Sequence, residues 1–151
     1  MSFFQKSGIV NVKMVITEEK ILSNIDKVQK LIKEVGDDTF NMVSVDGDTS
    51  TNDMLSIMCN GLAGNTVISE ANEDYEIFKK GVFIVCEALS KMLAKDGEGA
   101  TKLLTCKVEH AKTIKDAKAV AKSIICSSLF KSAMFGNDAN WGRILCAIGY
   151  A

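Results

Sequence analysis

The residues able to do chemistry fall in three polar, glycine-containing segments: Asp46-Gly-Asp-Thr-Ser-Thr-Asn-Asp53, Asp96-Gly-Glu-Gly-Ala-Thr101 and Gly136-Asn-Asp-Ala-Asn-Trp-Gly-Arg143. Asp46, Asp48 and Asp53 offer the carboxylate oxygens that Mg²⁺ or Ca²⁺ prefers. An EF-hand is excluded, because its sixth position would be Thr51 rather than Gly and its twelfth Ile57 rather than Glu. An apolar stretch running into Asp46-x-Asp48 also suits an aspartyl nucleophile in Mg²⁺-dependent phosphoryl transfer. The plainer alternative is a turn whose Asx and Ser/Thr side chains satisfy backbone amides and cap the next helix.

In the second segment two glycines flank Glu98. Either they stop a helix beside a solvated acid, or they let backbone approach a ligand while the carboxylate meets an ammonium group. The third segment holds the chain's single Trp and single Arg. Arg143 can clamp a carboxylate through two parallel hydrogen bonds, or lie beside Trp141 as a core anchor. His110 is the sole histidine, and no G-x-S-x-G elbow accompanies it, so a serine triad has no foothold. It reads as structural.

These segments need elements to carry them. Ile9–Ile16 alternates like a strand, and Glu18–Val35 carries the i, i+3, i+4, i+7 stripe of an amphipathic helix, with Gly36 placed to end it. Phe40–Val45 reads as a second, buried strand, and Thr51 or Asn52 as the cap of a short helix running to Asn60. Asn72 caps a long helix to Lys95, and Thr101–Val108 reads as a third strand. Thr113 with Asp116 opens a helix through Ile125, followed by a short element at Leu129–Phe135 and a helix from Trp141. Strands alternating with helices predict an α/β (α+β) layered sandwich, a mixed sheet packed against helices.

Composition sets the outer bounds. The chain has 151 residues, 47% hydrophobic and 25% charged, with a net charge of −1 and no proline where about seven would be average. A general nucleic-acid binder is disfavoured, since no basic excess exists to release counterions. Apolar runs are too short for a membrane span. The amino terminus lacks the pattern of a signal peptide. Five widely spaced cysteines without C-x-x-C fit reduced thiols, no metal site and a cytoplasmic setting.

Read together, three stretches are more specific than any one of them: Thr39-Phe-Asn-Met-Val-Ser-Val-Asp-Gly-Asp-Thr-Ser-Thr-Asn-Asp53, Asp96-Gly-Glu-Gly-Ala-Thr-Lys102, and Lys131-Ser-Ala-Met-Phe-Gly-Asn-Asp-Ala-Asn-Trp-Gly-Arg-Ile-Leu-Cys-Ala-Ile-Gly-Tyr150. In wording and order they resemble the ornithine acetyltransferase (glutamate N-acetyltransferase, ArgJ) family, from about Lys6 to Ala151. The resemblance implies an ArgJ/DmpA-like fold and acetyl transfer from N-acetylornithine to glutamate in arginine biosynthesis, with ornithine released and no cofactor. In such enzymes a precursor cleaves itself before a threonine, which becomes the nucleophile of the β chain. Its own α-amine serves as base, and an oxyanion hole stabilises the intermediate. The acid of the D-G-E-G-A-T-K motif binds substrate in that family and falls on Glu98. A lysine ahead of the nucleophile is another substrate contact, with Lys6 its rough counterpart.

The departures are also informative. The family reads about K-G-x-G-M-I-A-P-N-M-A-T-M-L before I-T, while this chain reads Lys6-Ser-Gly-Ile-Val-Asn-Val-Lys-Met-Val-Ile-Thr17. Thr17 matches the later I-T, so no catalytic residue is identified and the nucleophilic Thr reads as deleted. The expectation is a single partial domain over residues 1–151, the first part of a β chain, lacking α chain and β-chain tail. Such a piece would be impaired alone and would work as a homo- or hetero-oligomer on small molecules. The other readings are a non-catalytic remnant or assembly module of the same fold, and the Mg²⁺-dependent phosphotransferase using Asp46 and Asp48. The latter looks like the haloacid-dehalogenase type, with Ser50 where Thr or Val is usual.

Overall fold

In the computed structural model, residues 11–16, 25–48, 51–59, 64–66, 68 and 70–151 are described. The chain divides into two compact units, one of Met1–Asn41 with Ser50–Leu93, the other of Met42–Thr49 with Ala94–Ala151.

The first unit is built on a parallel pair of strands, β1 (Asn11–Ile16) and β2 (Met54–Cys59), in the register Asn11↔Met54 to Ile16↔Cys59. Two helices accompany them, α1 (Ile25–Asp38) and α2 (Glu73–Lys95). The amphipathic spacing does its work here. Leu31 and Val35 of α1 and Val82 and Cys86 of α2 are fully buried together, with Phe40, Ile57, Phe78 and Phe83 packed around them. Burying a leucine-sized side chain stabilises by about 1.5–3 kcal/mol. Asn72 caps α2 as expected: its Oδ1 accepts from the Tyr75 amide at 3.0 Å. Lys79 of α2 donates to Glu34 of α1 at 2.7 Å. That hydrogen bond and charge hold the Glu34 carboxyl below the usual carboxylate range and raise the Lys79 ammonium.

Three expectations change in this unit. Gly36 does not end α1, which runs on to Asp38; it is buried inside the helix, and a Cβ there would stand in ordinary contact with the Leu55 side chain, 3.6 Å away. The run at Phe40–Val45 is not a strand but a 3-10 turn over Phe40–Met42 followed by irregular chain. Thr39 keeps the backbone winding there, its Oγ1 donating to the Val35 carbonyl at 2.6 Å, while Asn41 donates to Asp37 at 2.7 Å. The expected short helix to Asn60 is the strand β2, since six residues pair with β1 more favourably than they nucleate a helix. Residues 17–24, where the first helix was expected to begin, lie outside the described residues.

In the second unit three helices, α3 (Ile114–Cys126), α4 (Ser128–Phe135) and α5 (Trp141–Gly149), converge on Ile124, Phe130 and Ala147. The capping pair holds, with Thr113 Oγ1 accepting from the Asp116 amide at 3.1 Å. Ser127 ends α3 and starts α4 at once: its amide donates to the Ile124 carbonyl, and its hydroxyl accepts from the Phe130 amide at 3.3 Å. Ser123 ties α3 to α5 through the Ala147 carbonyl at 2.6 Å. Thr101–Val108 was expected to be a strand. Leu104, Cys106 and Val108 do alternate half-buried with exposed neighbours, and Leu104 and Cys106 pack on the helical core, but among the described residues the segment joins no ladder. The described sheet is thus two parallel strands, where a mixed sheet was expected, in a helix-rich α/β fold.

Trp141 is not a core anchor. It opens α5 and is 72% exposed, because Ile144 and Ala147 supply that helix's packed face. Arg143 is half-buried, and His110 is exposed at a φ of +61°.

Candidate functional site

Parts of the three longer stretches, Thr39–Asp53, Asp96–Lys102 and Lys131–Tyr150, taken below as the first, second and third segments, meet inside the second unit. Residues 97–100 form a tight turn, closed by the Ala100 amide donating to the Gly97 carbonyl at 2.9 Å. Gly99 occupies the third position with a φ of +67°, the left-handed geometry a type II turn requires there. Glu98, one place earlier, is exposed at the tip.

The first segment backs this turn. A Cβ on Gly97 would stand 3.1 Å from Val45 Cγ1, so glycine is what lets the two loops close on each other. Next in the first segment, Asp46 Oδ1 accepts from the Asp48 amide at 2.8 Å, an Asx turn with Gly47 at a φ of +93°. The plainer reading of this loop therefore describes what Asp46 does. Without a strand at Phe40–Val45, the phosphotransferase pattern loses the element meant to present its aspartates. No group of three or more His, Cys, Asp or Glu among the described residues could hold a metal.

The third segment closes the cluster through two lysines. Lys102, the last residue of the second segment, donates to the carbonyls of Met134 at 2.7 Å and Phe135 at 3.3 Å. These belong to the end of α4, where the helix dipole places partial negative charge. The same helix end is finished by Asn137 at a φ of +57°. The Asn137 amide donates to Met134 and the Asp138 amide to Ala133, as in a Schellman close. Lys131, also on α4, donates to Ser44 Oγ at 3.1 Å, to the Ser44 carbonyl at 3.4 Å and to the Val45 carbonyl at 2.8 Å. The contacts form a ring: the Val45 loop touches the Gly97 turn, Lys102 ties that turn to α4, and Lys131 ties α4 back to the Val45 loop.

Glu98 thus stands on a braced turn, exposed and available to a cation. Lys6 lies outside the described residues, and so does any contact it makes. Lys102, Lys131 and Ser44 carry the ring, yet sequence reasoning gave them no role. Their only signal was position: the two lysines stand at the end of the second motif and the start of the third.

Polar loops braced against one helix, as here around α4, are where α/β proteins carry ligand-binding groups. A model of the ArgJ family matches residues 12–151, and the chain belongs to the ArgJ family. The arginine biosynthesis bifunctional protein ArgJ 1 of Clostridium acetobutylicum is 51% identical over 151 residues, 96% of this chain but 36% of its own length. ArgJ of Bacillus subtilis is 48% identical over 134 residues, 89% of this chain and 32% of its own. The crystal structure of the arginine biosynthesis bifunctional protein ArgJ from Bacillus halodurans superposes with a TM-score of 0.84 at 42% identity, covering 94% of this chain and 64% of that one. The chain spans about a third of the length of the curated relatives it matches. No described helix is long and apolar enough to cross a membrane.

Proposed function

We propose that this chain is the part of a glutamate N-acetyltransferase that presents the substrate-binding acid. The reaction moves the acetyl group of N2-acetylornithine to glutamate in arginine biosynthesis. A nucleophilic hydroxyl attacks the acetyl carbonyl, ornithine leaves with its α-amine restored, and the glutamate amine then takes the acetyl group from the acyl-enzyme. Glu98 accepts from the side-chain ammonium of acetylornithine, and Lys6 contributes a second substrate contact. No cofactor enters this scheme.

The whole of residues 1–151 is read as one partial ArgJ-like domain. Its sequence around Lys6–Thr17 carries no counterpart of the nucleophilic threonine, so the chain alone is impaired and completes its site as an oligomer. The observation that carries the reading is the Gly97–Ala100 turn, which holds a motif glutamate exposed in a chain of this family.

The test is binding and turnover on the purified chain. N-acetylornithine should bind saturably, Glu98→Gln should weaken that binding about tenfold, as loss of a charged hydrogen bond does, and acetylglutamate should not form. Equal binding by Glu98→Gln, or none by the parent, refutes the assignment of Glu98; acetylglutamate formed by the chain alone refutes the impairment.

A second reading is a non-catalytic assembly module. Trp141, Leu145 and Ile148 recur at i, i+4 and i+7 on α5 and are 72%, 57% and 40% exposed, an apolar stripe alongside the packed Ile144 and Ala147. A clean monomer in light scattering that binds no hydrophobic dye excludes it.

A further inference from the structure

We infer that Lys131 is a positioning residue for Glu98, acting through Val45 and Gly97 rather than by touching ligand. The inference rests on the reading of Glu98 as the substrate-binding acid. Lys131 is half-buried on α4, and among the described residues its ammonium meets neutral oxygens: Ser44 Oγ at 3.1 Å, the Ser44 carbonyl at 3.4 Å and the Val45 carbonyl at 2.8 Å. With these three partners on one loop, it holds the backbone that carries the Val45 side chain.

Val45 is in turn the wall of the Glu98 turn. Its Cγ1 lies 3.1 Å from the point a Gly97 Cβ would occupy, so a shift of the Val45 loop is felt at Gly97 directly. Gly97 is also the acceptor of the bond that closes the turn, from the Ala100 amide at 2.9 Å. From the other side Lys102 grips the Met134 and Phe135 carbonyls at the end of the same α4. One short helix therefore holds the Glu98 turn from both sides, through one lysine of its own and one from beyond the turn. Exposed surface charges have no reason to be arranged so; a carboxylate that must stand still before a ligand does.

The experiment is amide exchange by NMR on the full chain, with N-acetylornithine as the added probe. In Lys131→Met the Ala100 amide should exchange about tenfold faster or more, the change that loss of a hydrogen bond to a charged donor produces. The Ile124 amide, in the helical core, should not change. Val45→Ala, at a half-exposed site that threatens no core, should do the same to Ala100 if Lys131→Met fails to fold.

In titrations, Lys131→Met should weaken N-acetylornithine binding several-fold, and should add nothing in a Glu98→Gln background. Unchanged Ala100 exchange in either variant, or equal acceleration at Ala100 and Ile124, overturns the inference. So does a Lys131→Met binding loss that persists in full without Glu98. If the parent binds no N-acetylornithine, the reading of Glu98 fails, and the exchange data alone still decide whether Lys131 braces the turn.

Discussion

Substituting Gly99 tests the turn where backbone conformation alone decides. Its φ is +67°, and no heavy atom lies within 4 Å of the place a Cβ would take. No clash contributes, so the cost is conformational. A left-handed L-residue costs about 1–2 kcal/mol, while alanine in place of glycine gains about 0.4–1 kcal/mol by restricting the unfolded chain. Gly99→Ala should therefore lose about 0.5–1 kcal/mol net. Asn tolerates this conformation and should lose less, and a β-branched Val should lose more. Urea unfolding followed by circular dichroism, with amide exchange at Ile124 and Phe130 to report the second unit, should rank the four as Gly, Asn, Ala, Val. Gly97→Ala supplies the contrast, because there the obstacle is Val45 Cγ1 at 3.1 Å. Its loss should shrink when Val45 is also made Ala, whereas that of Gly99→Ala should not. An alanine at 99 as stable as glycine, or a Gly99→Ala loss relieved by Val45→Ala, would refute the conformational argument.

Three further outcomes follow from the packing and the charges. Leu31→Ala empties a fully buried site and should cost about 2–5 kcal/mol in urea unfolding of the first unit; less than about 1 kcal/mol would show that the site collapses. Cys126 and Cys146 are exposed, while burial pushes the thiols of Cys86 and Cys106 up, so a disulfide reagent followed by peptide mass analysis should label Cys126 and Cys146 before Cys86 and Cys106. The Glu34–Lys79 pair lowers the carboxyl and raises the ammonium, so its small contribution is present between their ordinary values. It is lost as pH falls through the folded Glu34 value or rises through that of Lys79. The difference between the parent and Lys79→Met in urea midpoint should vanish in acid and in high salt, and one that survives both would show that packing, not charge, is responsible.

Helix signals in the sequence translate directly into structure because they are local. Asn72 with Tyr75, and Thr113 with Asp116, need no information beyond one turn to cap their helices. The short apolar runs do not carry such information. Met54-Leu-Ser-Ile-Met-Cys59 is apolar at nearly every position, so its period is hidden, and pairing with β1 some forty residues away decides it. Phe40–Val45 fails as a strand for the opposite reason: a buried Thr39 holds the chain to the end of α1. The candidate site divides likewise. The three motifs name the loops, and Glu98 is legible among them. That they meet is not, because it depends on lysines reaching carbonyls 32 and 86 residues away. The resemblance to ArgJ holds at the level of family and fold.

The Ser127 junction has a consequence for which variants of this chain can exist. With a single residue serving as the last cap of α3 and the first of α4, the two helices share one rigid joint. Insertion of one residue there would turn α4 by about 100° about its axis. Lys131 would then face away from Ser44 and Val45, and the helix end that Lys102 grips would move with it. Changes of residue type at the surface of α4 are cheap by comparison. Among natural copies of this segment, the distance from Thr113 to Lys131 should therefore be far more uniform in length than the loops on either side of it.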